Sequence, residues 1–473
     1  MNRIKKIFSL CTLFIFLSGM FFPDRVFSIT IKQEEDLSRE FMKAVSKNLE
    51  FVKDPFIVNY VNKVGQKIVS ALPPQPFTYH FYVIKEDDYN AFASPAGNIF
   101  INSGLIEAME NEEELAGILG HEIAHVQCRH ISDMIDRSKK ISMATLAGLA
   151  AGILLGAGGA AMLGNAVTVS TMAAGQSLGL IYSREHEMQA DQIGLKYLTE
   201  AGYSGTGLLK TLKKIRSKNW FGTEQIPTYL KTHPAVEDRI AYIDLWLEGH
   251  KNDINQESII PPDDFLWAHT RLIAVCGEES TALRKFKTAI NKHPENPMAN
   301  YGYGLILART GKREEAITYL KKALKKKPFD PYILKDIGKV YFLAGRYPEA
   351  LNALESSAKI APHDDPEDLF LIGRTQMELG LLQKAVFTFE DLAAKKPDHK
   401  KAFYFLGKSY GKLGRLAEAH YYLGIYHKNR KDFKNALFHL NRALKKTNDP
   451  SRKLEIEKML KKIRKGESQA KGP

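Results

Sequence analysis

The chain has 473 residues, 44% of them hydrophobic, and a formal net charge of +13. That length and apolar fraction exclude a disordered chain and allow two or three domains with packed cores. The three cysteines exclude a disulfide framework: Cys11 lies in an N-terminal apolar stretch, and only Cys128 and Cys276 follow it. Charge is unevenly spread. From Asp263 to the end there are 41 Lys+Arg against 25 Asp+Glu, whereas residues 1–262 hold 26 against 29. The split points to two functional units. The basic half reads as a solvated lysine-rich helical surface, and no nucleic-acid partner is expected.

Residues 1–28 read as a signal peptide. Arg3, Lys5 and Lys6 precede an uncharged apolar run from Ile7 to Phe22, and Val26 and Ser28 supply small residues before a cleavage site. A retained N-terminal anchor is the alternative. Residues 29–248 form the next unit. Ile31–Val69 has helical apolar spacing, and Pro73, Pro74 and Pro76 break it. Phe77–Ile84 alternates and is aromatic and β-branched, which predicts a strand. Asn90, Ala91, Phe92 and Ala93 predict a second strand, Pro95–Asn98 a turn, and Ile99–Ile101 a third strand. Ser103 is placed to cap the following helix. An edge of this small sheet, with Asn90–Ala93 as the substrate strand, would hold an extended peptide by main-chain hydrogen bonds.

The helix that begins at Glu112 carries His121, Glu122 and His125 in the pattern His-Glu-x-x-His. Positions i and i+4 share a helical face, so two imidazoles can bind one Zn²⁺ while Glu122 reaches a water as general base. This is the chemistry of metal-assisted peptide hydrolysis. The alternative zinc-helix layout with three histidines needs Gly at Cys128 and His at Ile131, and is excluded. From Ile141 to Ser183 there are 43 residues without Asp, Glu, Lys or Arg. They predict an apolar helical hairpin, buried or touching a membrane peripherally. Its first arm is shorter than the roughly 20 residues of a span.

A third ligand is sought downstream. Glu187 and Asp191 lie four apart on one helical face. Glu187 is the candidate ligand, with Glu185 or His186 as competitors, and Asp191 is placed to accept the far N–H of a ligand histidine. Farther on, His233 could approach the metal or an oxyanion, and Arg239 could stabilise developing negative charge. Residues 249–262 read as a linker. Beyond it Gly304, Ala316, Ala323 and Pro328 recur 34 residues later as Gly338, Ala350, Ser357 and Pro362, then again at Gly373 and Gly407. A period of 34 with small residues in phase is the tetratricopeptide pattern, and such solenoids bind proteins or peptides in a concave groove. The solenoid is expected over 263–465 and a disordered tail over 466–473.

With Asn90–Ala93, His-Glu-x-x-His, Ser183–Asp191 and His233-Pro234 in view, the chain resembles the zinc metallopeptidases related to the HtpX and CAAX prenyl proteases. It is most similar to the BepA-type periplasmic members that carry tetratricopeptide repeats. The resemblance implies a mainly α fold with a small β-sheet: a gluzincin-type metalloprotease domain followed by an α-solenoid. It implies one Zn²⁺ per chain on His121, His125 and Glu187. Asp191 would be a supporting or proton-donating residue, and His233 a group that occupies or gates the fourth position. It also implies a periplasmic endopeptidase acting on unfolded or misassembled outer-membrane proteins, with the repeats meeting clients or the β-barrel assembly machinery. The multi-span relatives differ, since this chain has a single apolar hairpin. Two other readings stand beside it: a chaperone or adaptor with a latent protease, and a membrane-embedded prenyl-type protease.

Overall fold

A computed structural model describes residues 29–137, 182–220, 227–250, 262–361 and 365–470. The stretches read as a signal peptide, as the body of an apolar hairpin and as most of a linker lie outside these residues. The described chain divides into two compact units, residues 1–269 and 270–473.

In the first unit, α1 (Ile31–Asn48) and α2 (Pro55–Val69) are the two helices expected before the proline break. Thr30 starts α1 with a capping box to Gln33, and Asp54 caps α2, which has Pro at its first position. Three strands follow: β1 (His80–Ile84), β2 (Ala91–Ala93) and β3 (Asn98–Asn102). The sheet order is β1-β3-β2, with β1 parallel to β3 and β2 antiparallel to it. Phe92 lies opposite Phe100, their rings stack at 4.8 Å, and Phe41 of α1 meets both. This aromatic cluster fixes α1 to one face of the sheet.

Two local expectations change. The first strand starts at His80 rather than Phe77, because its would-be partners, Pro95–Gly97, coil into a 3₁₀ turn in which Ala96 has φ 59°. Asn102, not Ser103, occupies the cap position of α3 (Ser103–Glu107), since β3 runs straight into that helix. The Ser103 hydroxyl instead donates to Glu86 O at 3.1 Å.

Next come α4 (Glu112–Gln127), α5 (His130–Arg137), α6 (Arg184–Glu200), α7 (Thr206–Trp220), α8 (Thr228–Thr232) and α9 (Val236–Gly249). The N-terminus of α4 is pinned from several directions. Asn111 caps it, the buried Glu112 accepts from Tyr203 at 2.9 Å and from Tyr60, and Glu114 pairs with Lys214 at 2.8 Å. No helix among the described residues is long and apolar enough to cross a membrane.

Helix α10 (Pro262–Cys276) contains the division between the units. Its first half belongs to the first unit: Phe265 meets Tyr60 at 6.3 Å and His269 Nε2 lies 3.0 Å from Glu107 O. The second compact unit therefore begins inside this helix, at Thr270.

The second unit continues with α11 (Glu279–Lys292), α12 (Pro297–Arg309), α13 (Arg313–Lys326), α14 (Pro331–Leu343), α15 (Tyr347–Ile360), α16 (Pro366–Glu378), α17 (Leu382–Lys395), α18 (Lys400–Lys412), α19 (Leu416–Asn429), α20 (Phe433–Lys446) and α21 (Pro450–Ala470). The 34-residue period has a direct steric meaning. A Cβ on Gly304 would stand 2.7 Å from Leu320, and one on Gly338 would stand 2.7 Å from Leu354. Only glycine lets the paired helices touch there. The terminal helix runs on to Ala470, into the stretch expected to be a tail, although Gly466 lies within it.

Candidate metal centre

Helices α4 and α6 cross closely because glycines face each other. The Gly194 α-carbon leaves a Cβ only 3.2 Å of room to Gly120 O. That approach sets Glu187 against both histidines of α4. Ser183 opens α6 with a capping box shared with His186, which fixes where the first turn, and so Glu187, stands.

His121, His125, Glu187 and His233 form one group of possible metal ligands, all fully buried, with one donor atom from each within 4.8 Å of the others. His121 Nε2 and His125 Nε2 are 3.0 Å apart. Glu187 Oε2 is 3.4 Å from His121 Nε2, and Glu187 Oε1 is 3.4 Å from His125 Nε2. Tetrahedral bonds of about 2.0–2.1 Å put neighbouring ligand atoms roughly 3.3–3.4 Å apart, so these three side chains fit a zinc ion. Burial alone would raise the Glu187 carboxyl, but His233 and Arg239 beside it hold it well below the usual carboxylate range. Burial keeps His125 well below the ordinary imidazole value. Both are the deprotonated forms a metal requires.

The competitors for the third place are elsewhere. Glu185 is exposed, while His186 stacks on His130 at 4.4 Å and meets Asp133 at 2.9 Å. Asp191 stands behind His121, its Oδ1 2.9 Å from His121 Nδ1. Nδ1–H therefore donates to the carboxylate, which leaves Nε2 as the atom turned to a metal. Arg239 was expected to face developing charge on a substrate. In the structure its Nε and Nη2 each donate to Asp191 at 2.8 Å, and its Nη1 lies 2.7 Å from Glu187 Oε2. The guanidinium is thus spent on the carboxylates that surround the site.

Both carboxylate oxygens of Glu122 are buried and lack a hydrogen-bond partner, as do His233 Nε2 and the hydroxyls of Tyr182 and Tyr229. Buried polar groups are nearly always paired, so such a gathering fits a site built to hold a ligand and a substrate. Burial pushes the Glu122 carboxyl up from its ordinary value, the direction a general base needs. His233 Nδ1 lies 3.0 Å from Glu187 Oε1, and its ring stacks on Tyr229 at 4.3 Å. The strand Ala91–Ala93 is an edge of the sheet, and Asn90 just before it is buried with its carbonyl accepting from Asn102 N.

The sequence reading passed over His130, Gln189, Tyr182 and Tyr229. Tyr182 packs its ring 3.9 Å from that of His125. His130 lies five positions after His125, a spacing that shares no helical face. It reaches His125 only because the chain breaks between α4 and α5.

Residues 58–247 match peptidase family M48, and residues 280–331, 307–365 and 370–432 match the tetratricopeptide repeat. The beta-barrel assembly-enhancing protease of Yersinia pestis is 26% identical over 256 residues, 54% of this chain and 51% of that protein. The protein of the same name in Escherichia coli (strain K12) is 26% identical over 52% of this chain and 50% of its own length. The mitochondrial metalloendopeptidase OMA1 of Schizosaccharomyces pombe is 27% identical over 40% of this chain and 52% of its own. The chain spans about half the length of the curated relatives it matches.

Proposed function

From a chain that joins a peptidase family M48 domain to tetratricopeptide repeats, we propose a zinc endopeptidase of protein quality control, exported to the periplasm by residues 1–28. The observation that carries this reading is the buried group His121, His125, Glu187 and His233 beside a Glu122 carboxylate that accepts no hydrogen bond. His121, His125 and Glu187 would hold the zinc, and Asp191 with Arg239 would orient His121 and Glu187. A zinc ion bound there supplies Lewis acidity to a scissile carbonyl and acidifies water. Glu122 accepts the proton of the attacking water at a carboxylate oxygen and returns it to the leaving amine. The edge strand Asn90–Ala93 aligns an extended substrate through main-chain hydrogen bonds, which reads conformation and not sequence. That suits unfolded or misassembled chains.

His233 would close the fourth metal position and leave the resting enzyme latent, a reading supported by its nearness to the other three possible ligands. By likeness to the beta-barrel assembly-enhancing proteases, the clients are outer-membrane proteins, and the repeats meet them or their assembly machinery. The experiment is cleavage of an unfolded polypeptide by the zinc-loaded chain, run beside Glu122→Gln and His233→Ala. Glu122→Gln should keep zinc and lose activity by at least 10²-fold, and His233→Ala should cut faster than the parent. If Glu122→Gln cuts as well as the parent, the peptidase mechanism is wrong. A client-protecting effect that survives Glu122→Gln would favour the chaperone reading.

A further inference from the structure

The two histidines of the motif are supported differently. His121 has a carboxylate behind it, whereas His125 has another imidazole. His125 Nδ1 faces His130 Nδ1 at 2.9 Å, and His130 Nε2 faces Gln189 Oε1 at 3.1 Å. An amide oxygen only accepts, so the His130 proton must sit on Nε2. In a neutral ring His130 Nδ1 is then a bare acceptor, and the hydrogen between the two rings comes from His125 Nδ1. That leaves the lone pair of His125 on Nε2, the atom 3.0 Å from His121 Nε2 and 3.4 Å from Glu187.

What aims His130 is equally specific. Arg129 ends the turn after α4 with φ 55°, a left-handed conformation that a non-glycine residue adopts only at a cost. Its side chain is clamped: Nε donates to Glu34 Oε1 at 2.8 Å and Nη2 to Ile29 O at 2.8 Å. Glu34 is itself only 2% exposed and also takes the Ser132 hydroxyl. The clamp reverses the chain so that the first residue of α5 points back at the metal helix. His186 then stacks on the His130 ring from α6.

We propose that His130 and Gln189 form a neutral hydrogen-bond relay that fixes the tautomer of His125, with the Glu34–Arg129 clamp setting its position. His130 is a positioning residue: it touches neither metal nor substrate. The inference rests on the zinc reading of the site.

The test is zinc affinity of the full chain, measured by competition with a chromophoric chelator, for the parent, His130→Ala, His130→Phe and His130→Asn. Loss of a hydrogen-bond partner behind a ligand typically costs 10–100-fold in metal affinity. Ala and Phe should both show that loss, although Phe keeps the packing. Asn places an amide oxygen near the Nδ1 position and should bind within a few-fold of the parent. Melting of the four proteins in excess chelator checks that each folds. If Phe binds zinc as tightly as the parent, or if Asn is as weak as Phe, the relay is overturned and His130 only fills space. A parent chain that binds no zinc would instead sink the peptidase reading, and the relay with it.

Discussion

The contact between α4 and α6 and the contacts between repeat helices both depend on glycine, but they are used differently. At Gly194 backbone meets backbone, and the close approach carries Glu122, Glu187, Asp191 and Arg239 into the interior, none more than 4% exposed. At Gly338 backbone meets the Leu354 side chain, and the result is apolar core. The charge of Arg271, buried in the repeats, forms a closed set with Asp336 and Tyr301, and Lys335 pairs with Asp365 and Asp368, although Asp368 Oδ1 accepts no hydrogen bond. Around α4 the set is open: the Glu122 oxygens accept no hydrogen bond, and His233 Nε2 stands 3.7 Å from Oε1. A closed buried pair is structure, while an open one is stabilised only by what it binds.

The largest expected effect tests this contrast. Arg239→Met removes the cation that serves Asp191 and Glu187 together, and breaking such a buried set typically costs about 3–5 kcal/mol. Chemical denaturation in excess chelator would read it. In the repeats, the triple change Arg271→Met, Asp336→Leu and Tyr301→Phe removes all three members at once and should cost far less than Arg239→Met. Equal losses from the two would erase the distinction between the regions.

A smaller effect belongs to the steric half of the comparison. Gly338→Ala puts a methyl 2.7 Å from Leu354 Cγ and 3.2 Å from Leu354 N, and Leu354 is fully buried. Overpacking of this kind costs about 1–3 kcal/mol. Alanine recovers up to about 1 kcal/mol of helix propensity, so a net loss near 1–2 kcal/mol is expected. A melting temperature at or above the parent's would show that the repeat spacing is not set by this contact.

What could be read in the sequence follows the same division. The repeat period survives as a linear signal because each glycine packs on a residue sixteen positions away, inside its own hairpin. His121 and His125 are legible for a similar reason: one helical turn relates them. Glu187 and Asp191 are legible as a pair, but choosing Glu187 over His186 needs the α4–α6 crossing. Arg239 was found but its partners were not, since they come from α6, 48 and 52 positions earlier in sequence. His130 was not seen because its position depends on Arg129 adopting a conformation that the residue type argues against. The end of α4 looks from sequence like one continuous helix, and the break is imposed by Glu34, 95 residues before it.

The repeats contain a matching exception, and it gives the smallest and cleanest prediction. The turns between α12 and α13, α14 and α15, α16 and α17, and α18 and α19 each place a glycine at positive φ: Gly311, Gly345, Gly380 and Gly414, at 74–85°. Between α19 and α20 the corresponding residue is Lys431, with φ 61°. A side chain there costs roughly 1–2 kcal/mol, and replacing it by glycine returns about 0.5–1 kcal/mol of that to the unfolded chain as entropy. Lys431→Gly should therefore stabilise the repeat unit by about 0.5–1 kcal/mol, visible as a small rise in the midpoint of its unfolding. Arg129 has the same backbone strain with a different purpose, so Arg129→Gly relieves the strain but also releases the Glu34 clamp. If Arg129→Gly stabilised the chain as Lys431→Gly does and left zinc affinity unchanged, the two left-handed residues would be equivalent, and the clamp would have no part in aiming His130.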